Sequence, residues 1–215
     1  MVIDTQARLS AKIIKEGGII AYSTDTLYAL GVDATNPDAV RRLFALKQSP
    51  PDKNFLIMVK DIAMLKRYAD VSLYGEKLLE TMWPGPLSIL APRRIDSDIK
   101  EVSGNNKIGF RMPNHPFREA FFNCIDVPIT ATSTNISGSS PLTSPEDIKK
   151  QFPNIDYVVD AGICTGNPST VVSVEGEILS VIREGVISVE ALEKTWQGIV
   201  GTKGRVIYAN STTIQ

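Results

Sequence analysis

Hydrophobic positions along this chain recur in two rhythms, and the change from one to the other marks out its elements. Leu9, Ile13 and Ile14 share one face of a helical spacing between Thr5 and Glu16, and Gly17-Gly18 closes that run with the residue type best suited to the turn past a helix end. Ile19 to Tyr22 is a short apolar run that reads as a buried strand, and it leads into the polar cluster STDT (23–26), where the chain must turn. Asn36-Pro37-Asp38 supplies the cap and first turn of a helix whose inner face is Val40, Leu43 and Phe44 and which ends near Lys47. Phe55 to Val59 predicts a second strand. Ser72 predicts the start of a helix that buries Leu78, Leu79 and Met82 and is stopped by Trp83-Pro84-Gly85-Pro86.

Further strands are expected at Leu87 to Leu90, Lys107 to Arg111 and Pro128 to Thr132, with a helix from Phe117 to Cys124 between the last two. Ser144-Pro145-Glu146-Asp147 opens a helix to Gln151. Tyr157 to Asp160 reads as a strand, and Thr170 to Val174 with Ile178 to Ile182 reads as a hairpin turning through Glu175-Gly176-Glu177. Helices interleave with strands, yet some neighbouring strands form hairpins. The expected class is therefore α/β, a twisted mixed open sheet with helices packed on it around a concave cavity. A single domain over 1–204 is expected, followed by a polar tail over 205–215.

Composition narrows the chemistry. With 43% apolar and 22% charged residues in 215, a disordered or fibrous chain is excluded. No apolar run approaches membrane-spanning length and Met1 to Ser10 contains no secretory apolar core, so no membrane partner and a cytoplasmic address are expected. Lys plus Arg total 23 against 24 Asp plus Glu, so any attraction for anions has to be local. Cys124, Cys164 and the single histidine, His115, are too few and too scattered for a disulfide framework or a dedicated metal site.

Hydroxyl and cationic residues collect at strand ends: STDT after the first strand, Arg111 after 107–110, STNISGSS (133–140) after 128–132, and Ser169-Thr170 after a glycine-containing loop. Loops at strand ends of an open sheet converge on one crevice. Hydroxyls, amides and fixed cations suit a ligand rich in carboxylate or phosphate oxygens, because they bind it without having to titrate. Each cluster also has an ordinary structural role open to it. Ser/Thr/Asn runs make turns, Arg111 could pair with a surface carboxylate, Lys47 could answer a helix dipole, and Arg183 could be a strand-end charge. Neither GxxxxGK[ST] nor a GxGxxG after a strand occurs, so a bound nucleotide would have its phosphates held by dispersed side chains and backbone N–H groups.

Taken in order, GGIIAYSTDTLYALG (17–31), LKQSPPDKNFLIMV (46–59), WPGPLSIL (83–90), IGFRMPNHP (108–116), PITATSTNISG (128–138), PSTVVS (168–173) and IREG (182–185) resemble the YrdC-like family of threonylcarbamoyl-AMP synthases. The resemblance implies a YrdC-like fold and a nucleotidyltransferase that makes L-threonylcarbamoyladenylate and pyrophosphate from ATP, L-threonine and bicarbonate, for the t6A modification of tRNA. It implies that Thr26, Arg111, Ser133 and Ser169 form the threonine side, with Arg111 taking the carboxylate. Lys47, Lys53, Asn135, Thr143 and Arg183 would face ATP, with Lys47, Ser133 and Asn135 as catalytic residues and Mg²⁺ held mainly by phosphates and water. The family's KxR block places an arginine where this chain has Ser49, and Lys53 falls at the family's second basic position. Ser23, Ala29, Asn54 and Ser173 are smaller departures. A divergent paralogue with weak or different nucleotidyl transfer, or a protein that binds double-stranded RNA or tRNA beside tRNA-modification enzymes, are the alternatives implied by the same resemblance.

Overall fold

The computed structural model describes residues 2–50, 53–102 and 106–209. The chain runs through α1 (Val2–Lys15), β1 (Ile20–Tyr22), β2 (Ala29–Gly31), α2 (Pro37–Lys47), β3 (Ile57–Met58), α3 (Ile62–Tyr68), α4 (Leu73–Met82) and β4 (Leu87–Pro92). It continues with β5 (Lys107–Arg111), α5 (Pro116–Phe122), β6 (Ile129–Thr130), β7 (Thr132–Ser133), α6 (Pro145–Gln151), β8 (Tyr157–Val158), β9 (Thr170–Glu175), β10 (Ile178–Arg183), α7 (Val189–Val200) and β11 (Arg205–Tyr208).

Caps fix most helix starts. The Asn36 side chain accepts the N–H groups of Asp38 and Ala39 ahead of α2, Ser72 accepts Gly75 N–H ahead of α4, and Ser144 accepts Asp147 N–H ahead of α6. At the far end of α2, Gln48 adopts the left-handed conformation with φ of 51°, which releases the backbone immediately after Lys47. The expected hairpin is present as antiparallel β9 and β10, with Gly176 at φ +58° in its turn.

The strands form two mixed sheets in place of the single one expected. The smaller has the order β7-β2-β1-β8 and the larger β11-β10-β9-β4-β5-β3-β6. Only Ala131 separates β6, at one end of the larger sheet, from β7, at one end of the smaller. Thr130 stitches that crossing: its hydroxyl accepts Val32 N–H and donates to the Leu30 carbonyl, while its own carbonyl accepts Tyr22 OH. The core runs on beneath both sheets. Tyr22 stacks on Phe117 at 5.5 Å and Phe117 on Phe121 at 5.6 Å, tying β1 to α5.

Four elements were not legible in the hydrophobic pattern. Strand β2 is only three residues long, and α3 and α7 rest on caps, Asp61 and Ser188, that stand beside short apolar stretches. Residues 205–208, expected in the tail, form β11 in parallel with β10; its residues are mostly exposed, so no apolar run announces it. Residues 210–215 of the expected tail lie outside the described residues. No helix among the described residues is long and apolar enough to cross a membrane.

Candidate functional site

Helix α2 delivers Lys47 into the interior from its last turn. Its residue exposure is 1%, and its ammonium donates to the carbonyls of Ser133 at 2.5 Å and Asn135 at 2.7 Å, just where β7 ends. The Ser133 hydroxyl donates to Asn135 Oδ1, and Asn135 Nδ2 donates to the carbonyls of Ile136 and Ser139 at 2.8 Å each. Ser137 N–H returns to the Lys47 carbonyl. Lys47, Ser133 and Asn135 are therefore one hydrogen-bonded unit. Among the described residues no carboxylate lies within ion-pair distance of Lys47. Burial, reinforced by the nearby positive charge of Lys53, pulls its ammonium down to about 7.

Lys53 is exposed and donates to Ser137 Oγ at 3.2 Å, which places a second cation beside this unit. Ser49 follows the end of α2 directly; its hydroxyl is buried and has no hydrogen-bond partner among the described residues. Its neighbours Pro51 and Asp52 lie outside the described residues.

Arg111, the last residue of β5, forms the second pole. Its side chain is 6% exposed and its Nη2 donates to Asp25 Oδ1 at 2.6 Å and to Thr26 Oγ1 at 3.1 Å. Asp25 and Thr26 stand in the turn between β1 and β2, so this contact joins the larger sheet to the smaller. Thr26 is kept in place by Thr24, whose hydroxyl lies 3.0 Å from Thr26 Oγ1 and accepts the backbone N–H groups of Thr26 and Leu27. Beside Arg111 in register is Ser88 of β4, and Ser88 Oγ meets Ser169 Oγ at 2.9 Å. Arg183, at the end of β10, turns its Nη2 onto the Ser169 carbonyl at 2.9 Å. It lies close enough to Arg111 for the two positive charges to oppose each other.

The segment 160–168 links the poles. Cys164 N–H donates to the Thr143 carbonyl and its thiol to the Thr26 carbonyl at 3.2 Å. Tyr28 OH donates to the Gly162 carbonyl and accepts Ala161 N–H. Gly166 packs so closely that a Cβ there would sit 2.2 Å from the Thr26 carbonyl oxygen. Opposite this segment, His115 accepts Phe117 N–H at Nδ1 and so caps α5, and its Nε2 lies 3.2 Å from Ser23 Oγ.

Thr26, Arg111, Ser169 and Arg183 thus fall into one chain of contacts, and Lys47, Lys53, Ser133 and Asn135 into another. Strand β7 carries Ser133 directly opposite Ala29 of β2, three residues beyond Thr26, and Thr143 reaches Thr26 through Cys164. Ser88, Cys164 and Asp25 were not singled out from sequence. Asp25 offered only a partial signal, as the one acidic residue inside the hydroxyl-rich turn STDT; that it faces a buried arginine is seen only in the structure. Ser88 and Cys164 had none, because their contacts depend on register and on a loop crossing. Among the described residues no three His, Cys, Asp or Glu side chains converge, so a divalent ion would depend on oxygens supplied by a phosphate ligand and by water.

Comparison with known proteins identifies the family and the fold. The family model Sua5_yciO_yrdC, described as telomere recombination, matches residues 12–185. The threonylcarbamoyl-AMP synthase of Bacillus subtilis is 31% identical over 194 residues, covering 88% of this chain and 56% of that protein. The structure of Pyrococcus abyssi Sua5 complexed with L-threonine superposes with a TM-score of 0.82 at 30% identity, over 94% of this chain and 59% of that one. Escherichia coli YciO superposes with a TM-score of 0.79 at 27% identity, over 87% of this chain and 93% of its own. The chain thus spans little more than half the length of the two larger relatives and nearly all of the smaller.

Proposed function

Since the chain belongs to the Sua5–YciO–YrdC family, we propose that it is an ATP-dependent L-threonylcarbamoyladenylate synthase, a nucleotidyltransferase serving t6A formation in tRNA. The observation that carries this reading is the pairing of two unlike cationic poles across one seam. Arg111 is fixed by Asp25 and Thr26, as suits a fixed monoanion such as an amino-acid carboxylate. Lys47 is buried beside Lys53 with no carboxylate in ion-pair reach among the described residues, as suits a polyanion that supplies negative charge.

In this reading L-threonine lies along Thr26, Arg111, Ser133 and Ser169, as the likeness to the threonine-bound relative supports. ATP lies along Lys47, Lys53, Asn135, Thr143 and Arg183. Lys47, held by two carbonyls, donates toward the phosphate oxygens on which charge grows during transfer, and Ser133 and Asn135 fix it there. Mg²⁺, held by triphosphate oxygens and water, would supply charge screening there. Bicarbonate joins the threonine amine between the poles with loss of water to give the carbamate, whose oxygen attacks the α-phosphorus as pyrophosphate leaves. Incubation with ATP, labelled bicarbonate and L-threonine is expected to give a labelled adenylate and pyrophosphate. Absence of any threonine-dependent product from folded protein contradicts the proposal.

Ser49 favours a second reading. Its buried hydroxyl offers no charge where the family resemblance implies an arginine, and the likeness to YciO spans nearly all of that protein. The same site would then carry slower or altered nucleotidyl transfer.

A further inference from the structure

Of the cations in the seam, Lys47, Lys53, Arg111 and Arg183, only Arg111 has a side-chain carboxylate in contact among the described residues. That carboxylate, Asp25, is 12% exposed and is itself anchored, since Oδ2 accepts Asn114 N–H at 3.0 Å while Oδ1 holds Arg111 at 2.6 Å. Resting on the reading above, we propose that Asp25 sorts the two anions of the reaction: it is a positioning residue that keeps the triphosphate off Arg111 and reserves that guanidinium for the single carboxylate of the amino acid.

The reasoning is one of charge number. Arg183 holds Ser169, which Ser88 ties to the strand position beside Arg111, so without Asp25 two cations would share this end of the seam with no negative charge between them, and a polyanion would gain there. A fixed negative charge at Arg111 repels an anion in proportion to the charge that anion carries. A triphosphate is therefore penalised several times more than a carboxylate, and it is diverted to the Lys47 pole, where no carboxylate stands among the described residues. Removing Asp25 also leaves Arg111 buried without a counter-charge, a vacancy that any phosphate would fill. Coulombic exclusion of this kind sets specificity more than affinity.

The test uses inorganic tripolyphosphate as the probe. In the wild-type protein it is expected to compete with ATP and to leave L-threonine binding, followed by calorimetry, unchanged. In Asp25→Asn it is expected to become competitive with L-threonine, with its inhibition constant lowered about tenfold. Asp25→Glu, which keeps the charge, should retain the wild-type pattern, an outcome that loss of packing would not give. A folded Asp25→Asn variant with an unchanged inhibition pattern overturns the inference. So does wild-type protein from which tripolyphosphate already displaces L-threonine, a result that decides the matter even where the variant fails to fold. Wild-type protein that neither binds L-threonine nor forms a threonine-dependent product overturns the functional reading and the inference together, whereas normal activity with either of the first two results overturns the inference alone.

Discussion

An ammonium that is buried and hydrogen-bonded to two carbonyls, as Lys47 is, loses its proton readily and regains it when an anion arrives. The free group sits near 7 against an ordinary 10.5, so between those values the empty site holds a neutral amine. A bound triphosphate favours the charged form and draws a proton from solvent. ATP affinity should therefore fall as pH rises above about 7. At pH 8.5, calorimetry in buffers of different ionisation enthalpy should report uptake of close to one proton; Lys47→Met should bind more weakly and take up none, and equal uptake by the variant would contradict the assignment. At Ser49, two residues on, Ser49→Arg should raise the rate of adenylate formation, and in Lys53→Ala it should restore part of the ATP affinity lost with that lysine. A charge-assisted contact of this kind contributes roughly 1.5–3 kcal/mol; an unchanged rate in folded Ser49→Arg would show that the second cation is not limiting.

Among the described elements, α5 is the one whose start depends on a histidine cap. His115 can accept Phe117 N–H at Nδ1 only when neutral, and burial lowers its proton affinity, with Asp25 acting in the opposite sense. A histidine whose folded value is depressed contributes its full stability above the ordinary 6.5 and loses it as pH falls through 6.5 toward the folded value. His115→Asn keeps a capping side chain without the titration, so its melting temperature should vary less between pH 7 and 5.5 than that of the wild type. His115→Ala should cost about 1 kcal/mol at neutral pH. If all three proteins show parallel pH profiles, His115 is not the titrating group.

At the scale of the whole molecule, segment 160–168 passes from β8 of the small sheet to β9 of the large one and presses Gly166 against Thr26. Backbone stands where a methyl group would go, so Gly166→Ala must displace either the segment or the turn carrying Thr26. The expected result is a raised KM for L-threonine with the KM for ATP little changed; an unaltered threonine KM would show that the segment is free to shift.

The same scale explains what could be read in advance. Capped helices such as α2 and α6, and β5 with its strict ends, were legible because their signals are local. The residues at the poles were legible through short motifs, but their grouping was not. Ser88 meets Ser169 only because β4 lies between β5 and β9, and Cys164 meets Thr26 only because a loop crosses between sheets. Asp25 stood within a quoted motif, yet its role appears only once Arg111 is seen to be buried. Strand β11 escaped notice because an edge strand with one half-buried face carries little hydrophobic pattern.

The single alanine between β6 and β7 leaves a joint with no slack. With Thr130 bonded across it and one core continuous beneath both sheets, heat should dissolve the small sheet and the large one in a single step. The distance between the two poles is then fixed when the chain folds, before either substrate arrives.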